Sequence, residues 1–412
     1  MSASVPFDPP IEGPREGREG DGTGVSPFSE NPVLIFWETT KACLLACRHC
    51  RARAQRTPLP GELSTDEALT WLRAATRFGP PAPVVVFTGG DLLMRADIFD
   101  LLDAARAYGL KTAVSPSATP LLTSASLRRF KAAGVSAMSL SLDGAASFHD
   151  GLRGVEGTYL QTIRAIREGR GAGLQVQVNT VVMRENADTL ADLAAVLLEE
   201  GVSAWEVFFL IRTGRARRME PLAPDEGADV LRFLLEASRR RLLVRPIEAP
   251  FVRRMIREAD AGGALFRRLR DRLEALAGTP PEGAAARMGR TGTLDGDGTV
   301  FIGYDGTIFP GGLLPIPLGN VREDDIVDLY RNHPLLQAIR QRRLAGVCGR
   351  CEARSFCGGS RARAFAETGD PLGSDPACPW GDDPGREDAW GGRLKAQVDR
   401  RRPPRVEGRR SG

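Results

Sequence analysis

Between Val33 and Leu243 the chain switches repeatedly between two hydrophobic periods, and that alternation limits its fold more than any other feature. Six short apolar runs read as strands: VLIFWE (Val33–Glu38), VVVF (Val84–Phe87), KTAVS (Lys111–Ser115), SAMSLSLDG (Ser136–Gly144), LQVQVNTVV (Leu174–Val182) and AWEVFFLI (Ala204–Ile211). Helical periodicity fills the intervals, from about Thr65, through IFDLLDAARAYGL, and near Ser124–Ala133, Tyr159–Arg170 and Thr189–Glu200. Asp66 and Glu67 suit the positive N-terminal end of the first of these helices. A strand-to-strand spacing of about thirty residues lets each unit close one right-handed crossover. The pattern predicts an α/β fold of parallel βα units, six of them, open or forming a partial barrel. In such sheets function gathers at the C-terminal strand ends.

Independent polar signals fall on that rim. CLLACRHC (Cys43–Cys50) begins just beyond the first strand, TGGD (Thr88–Asp91) just beyond the second, SLDG (Ser141–Gly144) ends the fourth, and Asn179 lies within the fifth. The first of these has the spacing C-x3-C-x2-C, with Cys43, Cys47 and Cys50 on a loop. Thiolates are soft ligands suited to iron–sulfur clusters, zinc or copper. A disulfide uses two thiols and structural zinc takes four ligands. Three thiolates on a [4Fe–4S] cluster leave one iron open to a small molecule. A zinc ion would need a fourth ligand such as His49, which adjoins Cys50 in a cramped position for closing the same tetrahedron.

Composition sets the setting of this chemistry. The 412-residue chain is 42% hydrophobic with a formal net charge of +4, ordinary values for a soluble globular protein. No run approaches a membrane span, and the N-terminus lacks the basic flank and apolar centre of a signal peptide. The expectation is a cytoplasmic protein, where seven cysteines argue for metal or redox chemistry over disulfides. The basic tail DRRRPPRVEGRR has no interleaved aromatics and reads as a solvated end, so no nucleic-acid or membrane partner is expected.

Texture divides the chain into a disordered N-terminal segment over 1–30, a partial barrel over 31–220, a helical, Arg-rich connecting segment over 221–292, a cysteine-rich domain over 293–385, and a basic tail over 386–412. TVFIGYDGTIFP reads as a hairpin turning at Asp305-Gly306. Beyond it lie Cys348, Cys351, Cys357 and Cys378, spaced C-x2-C-x5-C-x20-C, enough to saturate a cluster or a zinc ion.

C-x3-C-x2-C after a first barrel strand resembles the radical S-adenosylmethionine (radical SAM) superfamily. The resemblance covers roughly residues 33–215 and 293–380. It implies a partial (β/α)6 TIM-like barrel with a small C-terminal cysteine-rich iron–sulfur domain. In that family S-adenosylmethionine chelates the open iron and is reductively cleaved to a 5′-deoxyadenosyl radical, which abstracts hydrogen from a substrate. TGGD resembles the family's Gly-Gly-Glu element, which implies that Gly89, Gly90 and Asp91 meet the methionine ammonium; here the acid is one methylene shorter. SLDG with HDGLRG resembles a segment that places Ser141 and Arg153 at the methionine carboxylate, with Asp143 and His149 read as turn and capping residues. His49 stands where the family carries an aromatic near the adenine. Asn179 has two open readings, a ribose contact or an amide satisfied by its neighbours. In IRTGRA the backbone can lie along the adenine, while Arg212 and Arg215 read as solvated loop positions.

The second cysteine segment, with CGGSRARAF and TGD, resembles the SPASM or twitch extension that holds auxiliary [4Fe–4S] clusters. Gly311 and Gly312 stand where fuller members carry a further cysteine, so counting predicts one auxiliary cluster and two clusters per chain. The texture is most similar to enzymes of haem and haem d1 biosynthesis, which act on tetrapyrrole side chains. The arginines at 212, 215, 217 and 218 can pair with tetrapyrrole carboxylates. Maturases of ribosomally made peptides or peptide-derived cofactors share the architecture and remain the alternative substrate class. An external electron donor such as flavodoxin or ferredoxin is implied. Two non-catalytic readings stay open, a zinc-binding protein and an iron–sulfur redox sensor.

Overall fold

The computed structural model describes residues 26–256, 262–289 and 294–380. The basic tail and residues 1–25 of the expected disordered segment lie outside the described residues. Seven parallel strands stand side by side in chain order: β1 (Leu34–Glu38), β2 (Val84–Thr88), β3 (Lys111–Val114), β4 (Ala137–Ser141), β5 (Gln175–Val182), β6 (Ala204–Phe209) and β7 (Leu243–Ile247). The crossovers carry α1 (Thr65–Ala75), α2 (Ile98–Ala107), α3 (Ser124–Ala132), α4 (Ala146–Arg153), α5 (Thr158–Gly171), α6 (Leu190–Glu199) and α7 (Pro224–Ala237). After β7 come α8 (Val252–Met255) and α9 (Ala264–Ala277), the latter packed on α6 and α7.

The six expected strands are present. The seventh, β7, lies inside the segment read as helical. Its sequence, LVRPI, breaks an already short apolar run with Arg245 and Pro246. Proline cannot donate to a ladder and reads against a strand, but β6 is the one strand β7 pairs with among the described residues, and beyond an isolated bridge from Val244 to Met288 its other side is an edge that tolerates it.

Period-two alternation gives the sheet two unlike faces. Ile35, Trp37, Val85, Phe87, Met138, Leu140, Val176, Val178, Trp205 and Val207 join the helix residues Trp71, Leu102, Phe130, Ile166 and Leu193 in one core. The opposite face carries a smaller apolar cluster at one end, around Val86, Ala113 and Ala137 with Phe36. Helices gathered on one face of a parallel sheet are the arrangement of a barrel, and the reverse face becomes its interior. Among the described residues β7 does not pair back to the other edge, so the sheet is open.

That other edge is extended. β8 (Leu294–Asp295), β9 (Gly298–Ile302), β10 (Thr307–Phe309) and β11 (Gly319–Asn320) follow, and β9 lies parallel to β1 with Thr299 opposite Leu34. The expected hairpin forms, with Phe309 opposite Phe301 and Gly306 at φ +81° in its turn. Then come α10 (Ile326–Asn332), α11 (Pro334–Arg340), α12 (Gly346–Arg350) and α13 (Arg361–Thr368). Residues 26–30, placed in the disordered segment by the sequence reading, are held here. Tyr330 donates to the Phe28 carbonyl at 2.8 Å, Ser26 bonds Asp297, and Arg331 bonds the Glu30 carbonyl at 3.0 Å. These partners lie some 300 residues away (|i−j| 301 for Arg331 to Glu30), beyond the reach of local composition.

Candidate functional site

The loop between β1 and α1 carries Cys43, Cys47 and Cys50, and hydrogen bonds from three sides shape it. Cys43 N–H donates to the Gln55 carbonyl at 2.7 Å, closing the loop on itself. Ala46 and Arg48 N–H donate to the carbonyls of Arg153 and Leu152, at 3.0 and 2.8 Å, at the end of α4. Gly90 and Asp91 N–H donate to the Thr40 and Ala42 carbonyls at 2.8 and 2.7 Å. A Cβ on Gly90 would strike the Ala42 carbonyl, and Gly89, at φ +151°, lies in the region that favours glycine. The two glycines thus allow close approach of the β2 rim to the cysteine loop. Asp91 is fully buried, accepts from the Thr119 hydroxyl at 2.7 Å, and caps the turn at Leu93 N–H. Burial pushes its carboxyl up, against those hydrogen bonds.

Each of the three sulfurs receives a donor. Leu45 N–H points to Cys43 Sγ at 3.4 Å, Ala54 N–H to Cys50 Sγ at 3.5 Å, and the Arg153 guanidinium to Cys47 Sγ at 3.9 Å. Burial raises the Cys43 and Cys47 thiols, with Arg153 opposing it at Cys47. Arg153 spends its Nε and Nη2 on the buried Asp143 carboxylate at 2.9 and 2.5 Å. Burial works to neutralise Asp143, but Arg153 and His149 outweigh it and hold the carboxyl well below the usual range. The backbone N–H of Asp143 donates to His149 Nδ1 at 3.1 Å, so His149, inside α4 rather than in a turn, ties that helix to the end of β4. His49 is neutral at pH 7: burial, then Arg153, push its imidazole down to about 4. Its Nδ1 is buried without a hydrogen-bond partner among the described residues.

One residue that reads as a solvated loop position is part of this frame. Arg215 donates to the Cys47 carbonyl at 3.1 Å and to the Ala54 carbonyl, while its own N–H bonds the Cys50 carbonyl at 3.0 Å. Gly214, at φ +57°, lets that turn press against Cys50 and Arg51. Arg212 instead pairs with Glu367 on α13 at 3.4 Å.

The interior face continues the site. Ser141, Asn179, Glu206 and Arg245 are register partners across β4, β5, β6 and β7, forming one polar row. Asn179 Oδ1 accepts from Gln177 at 2.8 Å, and Arg245 reaches both Gln177 and Glu206, at 3.2 and 3.4 Å. Burial raises the Glu206 carboxyl, and Arg245 opposes it. Gln177, Glu206 and Arg245 escaped the sequence reading; the signal was polar residues at alternate positions of otherwise apolar strands. Arg51, next to Cys50, stacks on Phe301 at 4.2 Å and meets the buried Glu38 at 3.4 Å.

The second cysteine group lies around α12 and α13. Asp375 N–H and Arg361 point to Cys348 Sγ at 3.3 and 3.6 Å, and the backbone at Gly359 and Trp380 donates to Cys357 and Cys378. Burial pushes the Cys378 thiol up to about 12, and the neighbouring Cys357 and Cys348 act in the same direction. The run CGGSRARAF supplies the frame. Arg361 bonds the Gly359, Pro371 and Gly373 carbonyls, and Arg363 pairs with Asp375 and bonds the Glu248 carbonyl at 2.8 Å. Gly311 packs against Asp295 and Gly312 against Phe301 and Arg51.

Among the described residues no three His, Cys, Asp or Glu side chains converge as a single metal ion requires. The three thiols, each facing an N–H donor, fit a multinuclear cluster, whose potential depends on hydrogen bonds to its sulfurs. Cys43, Cys47 and Cys50 would hold it, and the unpartnered His49 Nδ1 beside them suits a further polar ligand. When bound, such a cluster supplies the single electron that splits the S-adenosylmethionine sulfonium. The chain's own contribution is to position the thiolates, balance their charge through Arg153 and Arg215, and line the adjoining space with polar groups.

Fold and site together define a β/α-barrel protein with a three-cysteine loop on its rim. Residues 37–197 match the Radical SAM superfamily. The AdoMet-dependent heme synthase of Nitratidesulfovibrio vulgaris is 35% identical over 375 residues, 90% of this chain and 96% of that protein. The pre-heme d1 synthase of Dinoroseobacter shibae is 28% identical, over 84% of this chain and 86% of that protein. The structure of Streptococcus suis SuiB bound to precursor peptide SuiA superposes with a TM-score of 0.61 at 16% identity, covering 85% of this chain and 76% of that one. The chain belongs to the radical SAM superfamily and is a radical SAM enzyme with that family's partial TIM barrel. Among the described residues no helix is long and apolar enough to cross a membrane.

Proposed function

We propose that this enzyme removes or oxidises carboxylate-bearing side chains of a tetrapyrrole, using a 5′-deoxyadenosyl radical to abstract the initiating hydrogen. The end-to-end similarity to an AdoMet-dependent heme synthase carries the reading. The site supports it through Arg51. Its guanidinium pairs with Glu38 through Nη2 at 3.4 Å, its side chain is 27% exposed, and it directly follows a cysteine of the rim loop. The remaining donors of that planar fork suit a carboxylate. Of the arginines expected to meet the substrate, Arg215 is committed to the cysteine loop and Arg212 to Glu367.

Two [4Fe–4S] clusters belong to the proposal, one on Cys43, Cys47 and Cys50 and one on Cys348, Cys351, Cys357 and Cys378. Gly89, Gly90, Asp91, His49, Ser141 and Asn179 flank S-adenosylmethionine in this reading, with Arg153 acting from beside Cys47 and Asp143. A cytoplasmic location keeps the seven thiols reduced. The electron comes from an external carrier of the flavodoxin or ferredoxin kind.

Anaerobic reconstitution tests this directly. The expected content is about eight irons per chain from two cubanes, with 5′-deoxyadenosine formed on reduction. Cys47→Ala should abolish cleavage, and Cys351→Ala should keep some cleavage while losing substrate turnover. Deuterium transfer from a side-chain-labelled porphyrin into 5′-deoxyadenosine is expected. Transfer from a peptide substrate instead would move the enzyme to the maturase class.

A further inference from the structure

We propose that the groove beside the cysteine loop is the docking surface for an acidic one-electron carrier protein. The inference rests on the radical SAM reading and adds to it the place where the electron enters. The groove has a volume of about 500 Å³ and is lined by Arg48, Arg184, Glu185, Arg215, Arg218, Met219 and Glu220. Three segments build it: the cysteine loop through Arg48, the end of β5 through Arg184, and the turn after β6 through Arg215–Glu220.

Charge sets the kind of partner. The lining holds four guanidiniums against two carboxylates. Arg48 meets Glu185 at 3.4 Å, and Arg184 meets Glu220 and Glu226 at 3.4 Å each, with half-exposed side chains. Ion pairs that long and that exposed contribute little and exchange readily for a partner's carboxylates. Arg218 is exposed and has no ion pair or hydrogen bond among the described residues. A small anion would be better held by buried, preorganised donors; exposed arginines around an open groove suit the acidic rim of a protein.

Position sets the role. Arg48 directly follows Cys47, and Arg215 in the groove wall donates to the Cys47 carbonyl at 3.1 Å. A carrier seated there would lie beside one of the three cluster thiolates. The reduced carrier gives up one electron, the cluster gains it, and the oxidised carrier leaves. No atom or proton needs to cross the interface.

The test uses reconstituted holoprotein and an acidic flavodoxin as probe, with the charge-reversal variant Arg184→Glu. Association is measured by calorimetry at low and high salt, and S-adenosylmethionine cleavage is driven either by reduced flavodoxin or by dithionite. Wild type should bind flavodoxin with salt-sensitive affinity, and the variant should bind about tenfold more weakly with a flatter salt dependence. Flavodoxin-driven cleavage should fall in step, while dithionite-driven cleavage stays within about twofold, since a small reductant needs no docking surface. A matched single reversal on α9, Arg267→Glu, should leave association unchanged.

Equal affinity in wild type and groove variant overturns the proposal. So does an equal loss in the α9 control, binding of duplex DNA as tight as that of flavodoxin, or a raised porphyrin KM with carrier affinity intact. If wild type fails to cleave S-adenosylmethionine with dithionite, the functional reading falls, and the calorimetry still decides the groove.

Discussion

The Arg215 side chain reaches from the turn after β6 to two carbonyls of the cysteine loop, those of Cys47 and Ala54. A guanidinium bridges two acceptors because its donors diverge in a fixed plane, which one ammonium cannot reproduce. Arg215→Ala should therefore loosen the loop, at a cost of about 1–3 kcal/mol for the unpaired carbonyls and the lost bonds. The expected outcome is lower iron retention at the first site after gel filtration, with the second site unaffected. Arg215→Lys should restore only part of it. Iron and sulfide analysis in a Cys351→Ala background, where the first site alone contributes, reads this directly. Nothing in IRTGRA marks Arg215 as different from Arg212, since both are loop arginines, one and four residues beyond the sixth run. Which of them meets the cysteine loop depends on where β6 stands relative to β1, a property of the folded sheet.

At the scale of elements, local chemistry was often explicit. Ser64 and Glu67 form a capping box at the start of α1, with Glu67 accepting Ser64 N–H at 2.7 Å. The same carboxylate also meets Arg322, beyond β11, at 2.6 Å. Arg322 and then Ser64 lower the Glu67 carboxyl to about 2, against an ordinary value of about 4.3. The sign follows from linkage: a carboxyl depressed on folding adds stability above its unfolded value, and that stability is lost as pH falls through the folded one. Thermal stability should decline between about pH 4 and 2, and Glu67→Gln should flatten that part of the acid limb relative to wild type. Because the pair is exposed, the change should be modest. That Asp66 and Glu67 suit the start of α1 was legible in the sequence, whereas the partner at Arg322 was not, because the two meet only after the C-terminal segment docks.

Across the whole molecule, the C-terminal segment completes the barrel sheet rather than standing apart from it. β9 pairs with β1, which would otherwise expose an unpaired edge. Tyr330 fixes this junction: it is fully buried, donates to the Phe28 carbonyl, and accepts Gly298 N–H at 3.1 Å. Tyr330→Phe strands both groups and should cost about 1–3 kcal/mol, seen as a lower urea midpoint, with Tyr330→Leu losing more through its cavity. Cluster content at Cys43–Cys50 should be retained at low denaturant, since no Tyr330 contact touches that loop.

Periodicity and spacing were sufficient to read six parallel strands, the rim position of CLLACRHC and the hairpin at Asp305-Gly306, because each is written within a few neighbouring residues. Tertiary structure alone decided that β7 joins the sheet despite Arg245 and Pro246, and that β9 closes on β1. It alone set Ser141, Asn179, Glu206 and Arg245 in one interior row, and placed Arg215 against the cysteine loop. The physical reason is range: a local pattern records what a residue does to its neighbours in the chain, while a ladder partner or an ion pair hundreds of residues away comes into contact only once the core has formed.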